Sequence, residues 1–198
     1  MEMSATPLQQ LPIPVTGKRF RIRAAAYIID SVAYFVGVLA INFAVGVVLI
    51  VALTLSRGRQ VVVVPQSSTQ YLGLVVGVLQ FAFYFFLFDW LYGATIGKLI
   101  LRMRVIRDNG APCDFRGAFM RALLLNIDGL FFGLVGYSSM KAPLYQRHGD
   151  KSGRTIVVGS KATVIQRPRA GWWFLVAIVV YSAAIAITAV FLNIGAFR

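Results

Sequence analysis

Four long apolar stretches constrain this chain more than any other feature. Each is close to or longer than the roughly 18 residues that mark a candidate membrane-spanning helix. Because 58% of the 198 residues are hydrophobic and only 14% are charged, the apolar side chains exceed what the interior of a soluble domain can hold. We therefore predict an all-α integral membrane protein with three to four hydrophobic helical segments. The stretches run over Ala24–Ser56, Tyr71–Phe88, Ala122–Met140 and Gly171–Phe197.

The basic residues predict how the chain is oriented. The formal net charge is +13, and the Lys and Arg side chains collect beside the apolar stretches, as the retention of positive charge on the cytoplasmic side would produce. This placement argues against nucleic-acid binding as the reason for the charge. Four basic residues lie at the start of the first stretch. They predict a protein of the cytoplasmic (inner) cell membrane with its amino terminus on the cytoplasmic side. They are Lys18, Arg19, Arg21 and Arg23.

The third apolar stretch decides between two topologies. If it spans the membrane, the 20 basic residues divide as 11 inside and 9 outside, which is almost no asymmetry. If it enters and returns on the same side, the division is 17 inside and 3 outside, with Arg57, Arg59 and Arg198 outside. Glycines at 129, 133 and 136 also suit a broken helix better than a straight one. We therefore favour three spanning helices and a re-entrant third segment over four full spans.

A small β element is predicted between the second and third stretches. From Arg102 to Ile106 basic and apolar residues alternate, and Asp108, Asn109 and Gly110 follow as a strong turn signal. This pattern predicts a short cytoplasmic β-hairpin. A second β-like run, Thr155–Val158 followed by Ala162–Ile165, is expected to pair with the first and form a small sheet beneath the membrane.

Charged residues recur at the start of the first and third stretches with the same spacing. Arg23 precedes Asp30 by seven residues, and Arg121 precedes Asp128 by seven. Seven residues advance a helix by about 700° and about 10 Å, so each Arg and Asp share a face but lie too far apart to pair with each other. Each Arg can extend to the interface, whereas each Asp lies deeper, where ionisation is costly.

Four polar residues are candidates for an intramembrane site. Asp89 near the end of the second stretch lies at a depth comparable to Asp30 and Asp128, and Asn126 precedes Asp128 on the third stretch. If they converge, carboxylates in a low dielectric favour protonation, which a proton- or sodium-coupled site exploits. Alternatively, they bind Arg or Lys side chains across helices and cap the re-entrant backbone, with a purely structural effect.

Nothing in the sequence indicates an enzyme, a metal site or a cofactor. Cys113 and His148 each occur once, which excludes an intrachain disulfide and leaves no cluster at metal-ligand spacing. There is no paired nucleophile and base and no glycine-rich phosphate loop. We expect neither catalysis nor a bound cofactor.

The ordered blocks of this sequence resemble the RDD family of small multi-pass membrane proteins. The resemblance rests on RAAAYIID at Arg23–Asp30, on IGKLILRMRV with Gly97, Lys98, Arg104 and Val105, and on Asp150 with Thr155–Val158. It implies that Arg23, Asp30 and Asp150 carry the signature of one arginine and two aspartates. For Asp150 two roles remain open: it neutralises a basic loop, or it clamps Arg23 at the inner interface.

The resemblance also divides the chain and suggests its role. We expect a flexible cytoplasmic segment at 1–17, an RDD-like membrane domain at 18–165 and an additional transmembrane helix at 166–198. Some relatives are proposed to exchange sodium for protons, which implies a small cation or proton transporter with Asp30 and Asp128 as binding groups and Arg23, Arg121 and Asp150 as orienting partners. A transporter of this size would need to form a homo-oligomer or join a partner membrane protein.

A membrane scaffold or assembly module is the alternative function. Its basic cytoplasmic face would hold anionic lipid headgroups or the acidic surface of a protein partner, at about 1 kcal/mol per basic side chain near the membrane. In that case neutralising the loop arginines would matter more than neutralising Asp30.

Overall fold

The computed structural model describes residues 16–55, 66–162 and 169–194. Within these ranges the chain is mostly helical, with one small sheet, as predicted. The elements in chain order are α1 (Phe20–Leu55), α2 (Gln66–Leu91), α3 (Ile96–Ile100), β1 (Met103–Arg107), α4 (Phe115–Leu123), α5 (Leu125–Ser138), α6 (His148–Ser152), β2 (Thr155–Gly159) and α7 (Trp172–Ile194).

Three of the described helices are long and apolar enough to cross a bilayer. The candidate spans are Phe20–Ala52 in α1, Gly73–Leu91 in α2 and Trp172–Val190 in α7. At 1.5 Å per residue the shortest of them covers about 28 Å, close to the hydrocarbon thickness of about 30 Å. The prediction of a multi-pass helical membrane protein is therefore confirmed.

An aromatic core joins the three spanning helices. Tyr84 and Phe88 on α2 are almost fully buried, and their rings contact the ring of Tyr181 on α7 with centroids 5.5 and 6.3 Å apart. Tyr34 on α1 completes the contact, since its ring lies 6.5 Å from that of Tyr84 and its hydroxyl donates to the carbonyl of Gly77. Because lipid is as apolar as these side chains, close ring packing and buried hydrogen bonds hold the helices together.

The predicted sheet forms from its two runs, which lie far apart in sequence. β1 pairs with β2 in antiparallel register, with Val105 opposite Val157. The return arm of the predicted local hairpin is reduced to a single bridge between Ile106 and Pro112. A hydrogen bond from the Lys18 amide to the Val157 carbonyl ties the start of α1 to this sheet. The sheet therefore lies at the end of the bundle where α1 begins.

The third apolar segment turns back on itself. Gly133 in α5 has a φ of 87°, a conformation that glycine adopts without steric cost. A Cβ atom on Gly136 would lie 2.9 Å from the carbonyl oxygen of Asp128, whereas eight residues of straight helix would separate the two by about 12 Å. The segment therefore doubles back between Asp128 and Gly136, which is the backbone geometry that the predicted re-entrant segment requires.

This return collects the positive charge at one end of the bundle, here called the basic end. Four of the 20 basic residues lie outside the described ranges: Arg57, Arg59, Arg167 and Arg198. The other 16 belong to the start of α1 and to the segments from α3 to the start of α7, which all lie at the basic end. The predicted segment 1–17, except for its last two residues, and the β-like residues 163–165 also lie outside the described part.

Candidate functional site

Asp30 occupies a closed site between α1, α2 and the segment leading into α3. Its side chain is completely buried and accepts three hydrogen bonds. The Tyr84 hydroxyl and the Gly97 amide donate to Oδ1 at 2.8 and 2.7 Å, and the Thr95 hydroxyl donates to Oδ2 at 2.6 Å. The Tyr84 oxygen in turn accepts from the Ile96 amide at 3.1 Å. Among the described residues no Lys or Arg nitrogen lies within ion-pair distance of Asp30.

The short link between α2 and α3 is shaped to reach this carboxylate. A Cβ on Gly97 would lie 2.2 Å from the carbonyl oxygen of Ala26 and 3.0 Å from Cγ of Asp30, so only glycine permits this approach. Thr95 precedes the first residue of α3 in an extended conformation, which directs its hydroxyl and the following amides toward α1. The run Thr95-Ile96-Gly97 therefore forms a cage for Asp30.

Below Asp30, five charged side chains form a continuous buried chain of ion pairs. Asp150 on α6 joins Arg23 on α1, with 2.5 Å between Oδ2 and Nη2, to Arg121 on α4, whose Nη1 donates to Oδ1. Arg121 Nε then contacts Oδ2 of Asp89 on α2 at 3.1 Å, and Asp89 Oδ1 contacts Nζ of Lys98 on α3 at 2.6 Å. All five side chains are at most 8% exposed.

The charges of this chain stabilise one another. Burial opposes ionisation of Asp150, but the neighbouring Arg121 and Arg23 outweigh it and hold the pKa of Asp150 below its usual range. Burial likewise disfavours the charge of Arg121, yet Asp150 and Asp89 raise its pKa. Burial lowers the pKa of Lys98, while Asp89 opposes that shift. The three cations and two carboxylates of the chain carry one net positive charge.

Asp128 lies in a separate cluster at the foot of the re-entrant segment. Its Oδ1 lies 3.1 Å from Nδ1 of His148, and its Oδ2 accepts from the Gly149 amide at 3.1 Å. These contacts fasten α5 to α6. Asp128 shares none of its hydrogen-bond partners with Asp30 within the described residues.

The remaining predicted residues lie outside these clusters. Asn126 is exposed on α5. Arg104 on β1 stacks over the ring of Tyr92, 4.3 Å from its centroid, where a cation–π contact is favourable. Of the predicted set, the structure thus brings together Arg23, Lys98, Asp89, Arg121 and Asp150, places Asp30 beside them, and leaves Asp128, Asn126 and Arg104 apart.

Asp150 contacts Arg23, which is one of the two roles that the sequence left open. It forms the clamp on Arg23, and within its own loop it accepts a hydrogen bond from the Arg147 amide at 3.0 Å. The Arg23 guanidinium also donates to the carbonyl of Tyr145 at 2.9 Å. The clamp therefore fastens the first helix to the loop that follows the re-entrant segment.

The sequence did not identify several residues of the site. Tyr84 and Thr95 supply hydroxyl groups to Asp30, and the Thr155 hydroxyl accepts from Arg121 at 3.3 Å. His148, which carried little weight alone, contacts Asp128. Only Thr95 had a local signal, because it directly precedes the Ile-Gly-Lys block; the others are recognisable only once the helices are assembled.

Comparisons with known proteins agree with this architecture. The family model described as "RDD family" matches residues 19–154, about two thirds of the chain, and its match ends before β2 and α7. No match was found among the curated proteins or the solved structures compared. The matched region contains Arg23, Asp30, the Gly97-Lys98 pair and Asp150, whose side chains and backbone build the buried site. This membrane protein belongs to the RDD family.

Proposed function

We propose that this protein exchanges protons for a small monovalent cation across the cytoplasmic membrane, with its amino terminus in the cytoplasm and Asp30 as the binding group. One observation carries the proposal: Asp30 is a fully buried carboxylate whose direct partners are all neutral. Asp89 and Asp150, by contrast, are held by Lys and Arg side chains. A carboxylate without a bonded cation is the one that gains most from a proton or a metal cation.

The chemistry around Asp30 suits both occupants. Its two carboxylate oxygens and the Thr95 and Tyr84 hydroxyl oxygens are the hard oxygen ligands that small cations prefer. The hydroxyl groups donate to the carboxylate in this state, and each can rotate to offer a lone pair to a cation instead. Asp30 thus alternates between a protonated form, whose O–H can donate to one of these hydroxyl oxygens, and an ionised form that binds a cation.

A small cavity gives Asp30 a route to water. The cavity has a volume of about 20 Å³, and Arg23, Tyr27, Asp30, Lys98 and Arg147 are among the residues that line it. This is enough space for about one water molecule, which could carry a proton to or from the carboxylate. The cavity lies toward the basic end, so exchange with the cytoplasm is the shorter path in this conformation. A homo-oligomer, or a complex with a partner membrane protein, would enclose the rest of the pathway.

Flux through reconstituted protein tests this proposal. Purified protein in proteoliposomes is given a sodium or potassium gradient, and proton movement is followed with a pH-sensitive dye inside the vesicles. We expect cation-driven proton movement in the wild type and none in Asp30→Asn. The matched control is Asp114→Asn. Asp114 is a partly exposed carboxylate that caps α4, a role that asparagine also fills, and none of its described contacts is with Asp30 or with a hydrogen-bond partner of Asp30.

Two results would count against this role. If Asp30→Asn keeps its native melting temperature and still exchanges cations at the wild-type rate, Asp30 is not the binding group. If the folded wild type moves protons with no monovalent cation, exchange is not the function. Asp128→Asn distinguishes the two carboxylates. Because Asp128 and Asp30 share no hydrogen-bond partner among the described residues, a folded Asp128→Asn variant should still exchange cations.

A membrane assembly module is the second candidate, and the surface charge of the basic end favours it. Eight basic side chains are exposed there, whereas five of the six described aspartates are buried. Such a surface attracts anionic lipid headgroups or an acidic partner. Because an integral protein is already in the membrane, the test measures how much anionic lipid stays bound to it through purification. This amount should fall when Lys151, Arg154 and Lys161 are replaced by Gln together.

A further inference from the structure

The short helix α4 has two chemically different faces. Gly117, Ala118, Arg121 and Ala122 are buried against the bundle. On the other side Phe115, Phe119 and Leu123 are 54%, 46% and 57% exposed. Because these three follow one another at intervals of four residues, they form a single stripe along the helix. This concentration of large apolar side chains on nine residues needs an apolar environment.

Aromatic contacts fix the depth of this stripe relative to the spanning helices. The ring of Phe115 lies 5.1 Å from that of Phe86 and 5.4 Å from that of Trp90, and Phe119 lies 6.3 Å from Phe86. Phe86 and Trp90 belong to the last turns of the span Gly73–Leu91 in α2. The stripe therefore continues the lipid-facing surface of α2 at the level where the span ends and where tryptophan side chains favour the membrane interface.

A basic side chain and further apolar side chains lie near the stripe, as expected for a helix at the surface of a phospholipid leaflet. Arg116 is exposed beside Phe115, where a guanidinium can reach headgroup phosphates. Leu99 and Ile100 of α3, 44% and 60% exposed, add apolar surface at the same end of the bundle. We propose that α4 lies in the plane of the membrane, with Phe115, Phe119 and Leu123 in the acyl-chain boundary of the leaflet at the basic end and Arg116 among its phosphates.

This placement connects the leaflet directly to the buried ion pairs. The face of α4 opposite the stripe carries Arg121, which contacts both Asp89 and Asp150. α4 has nine residues, about two and a half turns, so a change in the depth of the stripe moves the guanidinium with it. Lipid packing at the interface and the geometry of the ion pairs are then coupled through one nine-residue helix.

Depth measurement with a fluorescent label tests the proposal. Cys113 is replaced by Ala, and single cysteines are introduced as Phe119→Cys, Leu123→Cys, Arg116→Cys and Ser160→Cys, the last at an exposed position after β2. Each variant is labelled with an environment-sensitive dye and reconstituted in vesicles of phosphatidylcholine and phosphatidylglycerol. Quenching by lipids brominated high on the acyl chain reports depth, and quenching by aqueous iodide reports exposure to water.

We expect brominated lipid to quench the labels at 119 and 123 several-fold more than the label at 160, with the label at 116 intermediate. Iodide should give the reverse order. The proposal is overturned if the labels at 119 and 123 are quenched by iodide as strongly as the label at 160. It is also overturned if neither quencher reaches the labels at 119 and 123 and this shielding disappears when the protein is diluted with lipid. A second copy of the chain would then cover the stripe. Melting curves of the labelled variants confirm that each is folded.

Discussion

Replacing Asp150 with Asn should destabilise the folded protein more than any other single carboxylate-to-amide change at the basic end. Asn has the same shape, but it leaves the buried guanidinium groups of Arg23 and Arg121 without their shared anion. Removing one partner of a buried ion pair costs about 3–5 kcal/mol. We expect a loss at the upper end of that range, because two cations lose a partner, although Arg121 keeps Asp89 and Arg23 keeps a carbonyl.

The assay is reversible unfolding in mixed micelles, with Asp114→Asn as the matched control. Asp114 also faces an arginine, at 3.5 Å, but both side chains are more than a third exposed, so its replacement should cost less than about 1 kcal/mol. A double-mutant cycle of Asp150→Leu and Arg23→Met isolates the pair and should give a coupling of about 2 kcal/mol or more. If Asp150→Asn costs no more than Asp114→Asn, the buried chain of ion pairs does not stabilise the fold.

Acid titration examines the same interaction independently. Because the pKa of Asp150 in the folded protein lies below its usual value of 3.8, the carboxylate contributes stability above that pH and loses it as the pH falls further. The free energy of unfolding of the wild type should therefore decline below about pH 4, by up to about 1.4 kcal/mol per pH unit for this one group. In Asp150→Asn the part of the decline that arises from this group should be absent.

Three further predictions address other parts of the fold. Gly97→Ala should lower stability by about 1–3 kcal/mol in a denaturant melt, because its methyl group collides with a carbonyl of α1, whereas Gly37→Ala, with open space around it, should not. In Asn126→Cys and Ser138→Cys the new thiols should react with an impermeant reagent added to the same side of sealed vesicles. Reaction from opposite sides would show that the third segment spans the membrane. Burial raises the pKa of Cys113 to about 12, so the native thiol should resist alkylation at pH 8 and react only after unfolding.

The large features of the fold could be predicted because they depend on charge and on hydrophobic length. The run of apolar residues predicts the spans, and the positive charge after the third stretch favours a return of that stretch, which the backbone conformation of Gly133 permits. The seven-residue spacing correctly indicated that Arg23 does not pair with Asp30. The first two inferences use only the length and charge of consecutive segments, and the third uses only distances along one helix.

The partners of the buried charges could not be predicted in the same way. Arg23 contacts Asp150, which is 127 residues away; the family resemblance offered this contact as one of two roles for Asp150, but no periodicity within one helix encodes it. Asp30 accepts a hydrogen bond from the Tyr84 hydroxyl. In the sequence Tyr84 is one of several aromatic residues in an apolar stretch, and nothing marks it as a partner of Asp30 until α2 is placed beside α1. The roles of Asp30 and Asp128 in binding remain predictions for the flux measurements.

The clamp between Arg23 and Asp150 also sets an order of events during synthesis. A ribosome that adds about 5–20 residues per second needs about 6 to 25 s to make the 127 residues between them. Throughout that interval Arg23 lacks the carboxylate that it contacts in the folded protein, and its guanidinium can extend to lipid phosphate at the interface. The contact that fastens α1 to the loop carrying Asp150 therefore forms only after that loop has left the ribosome.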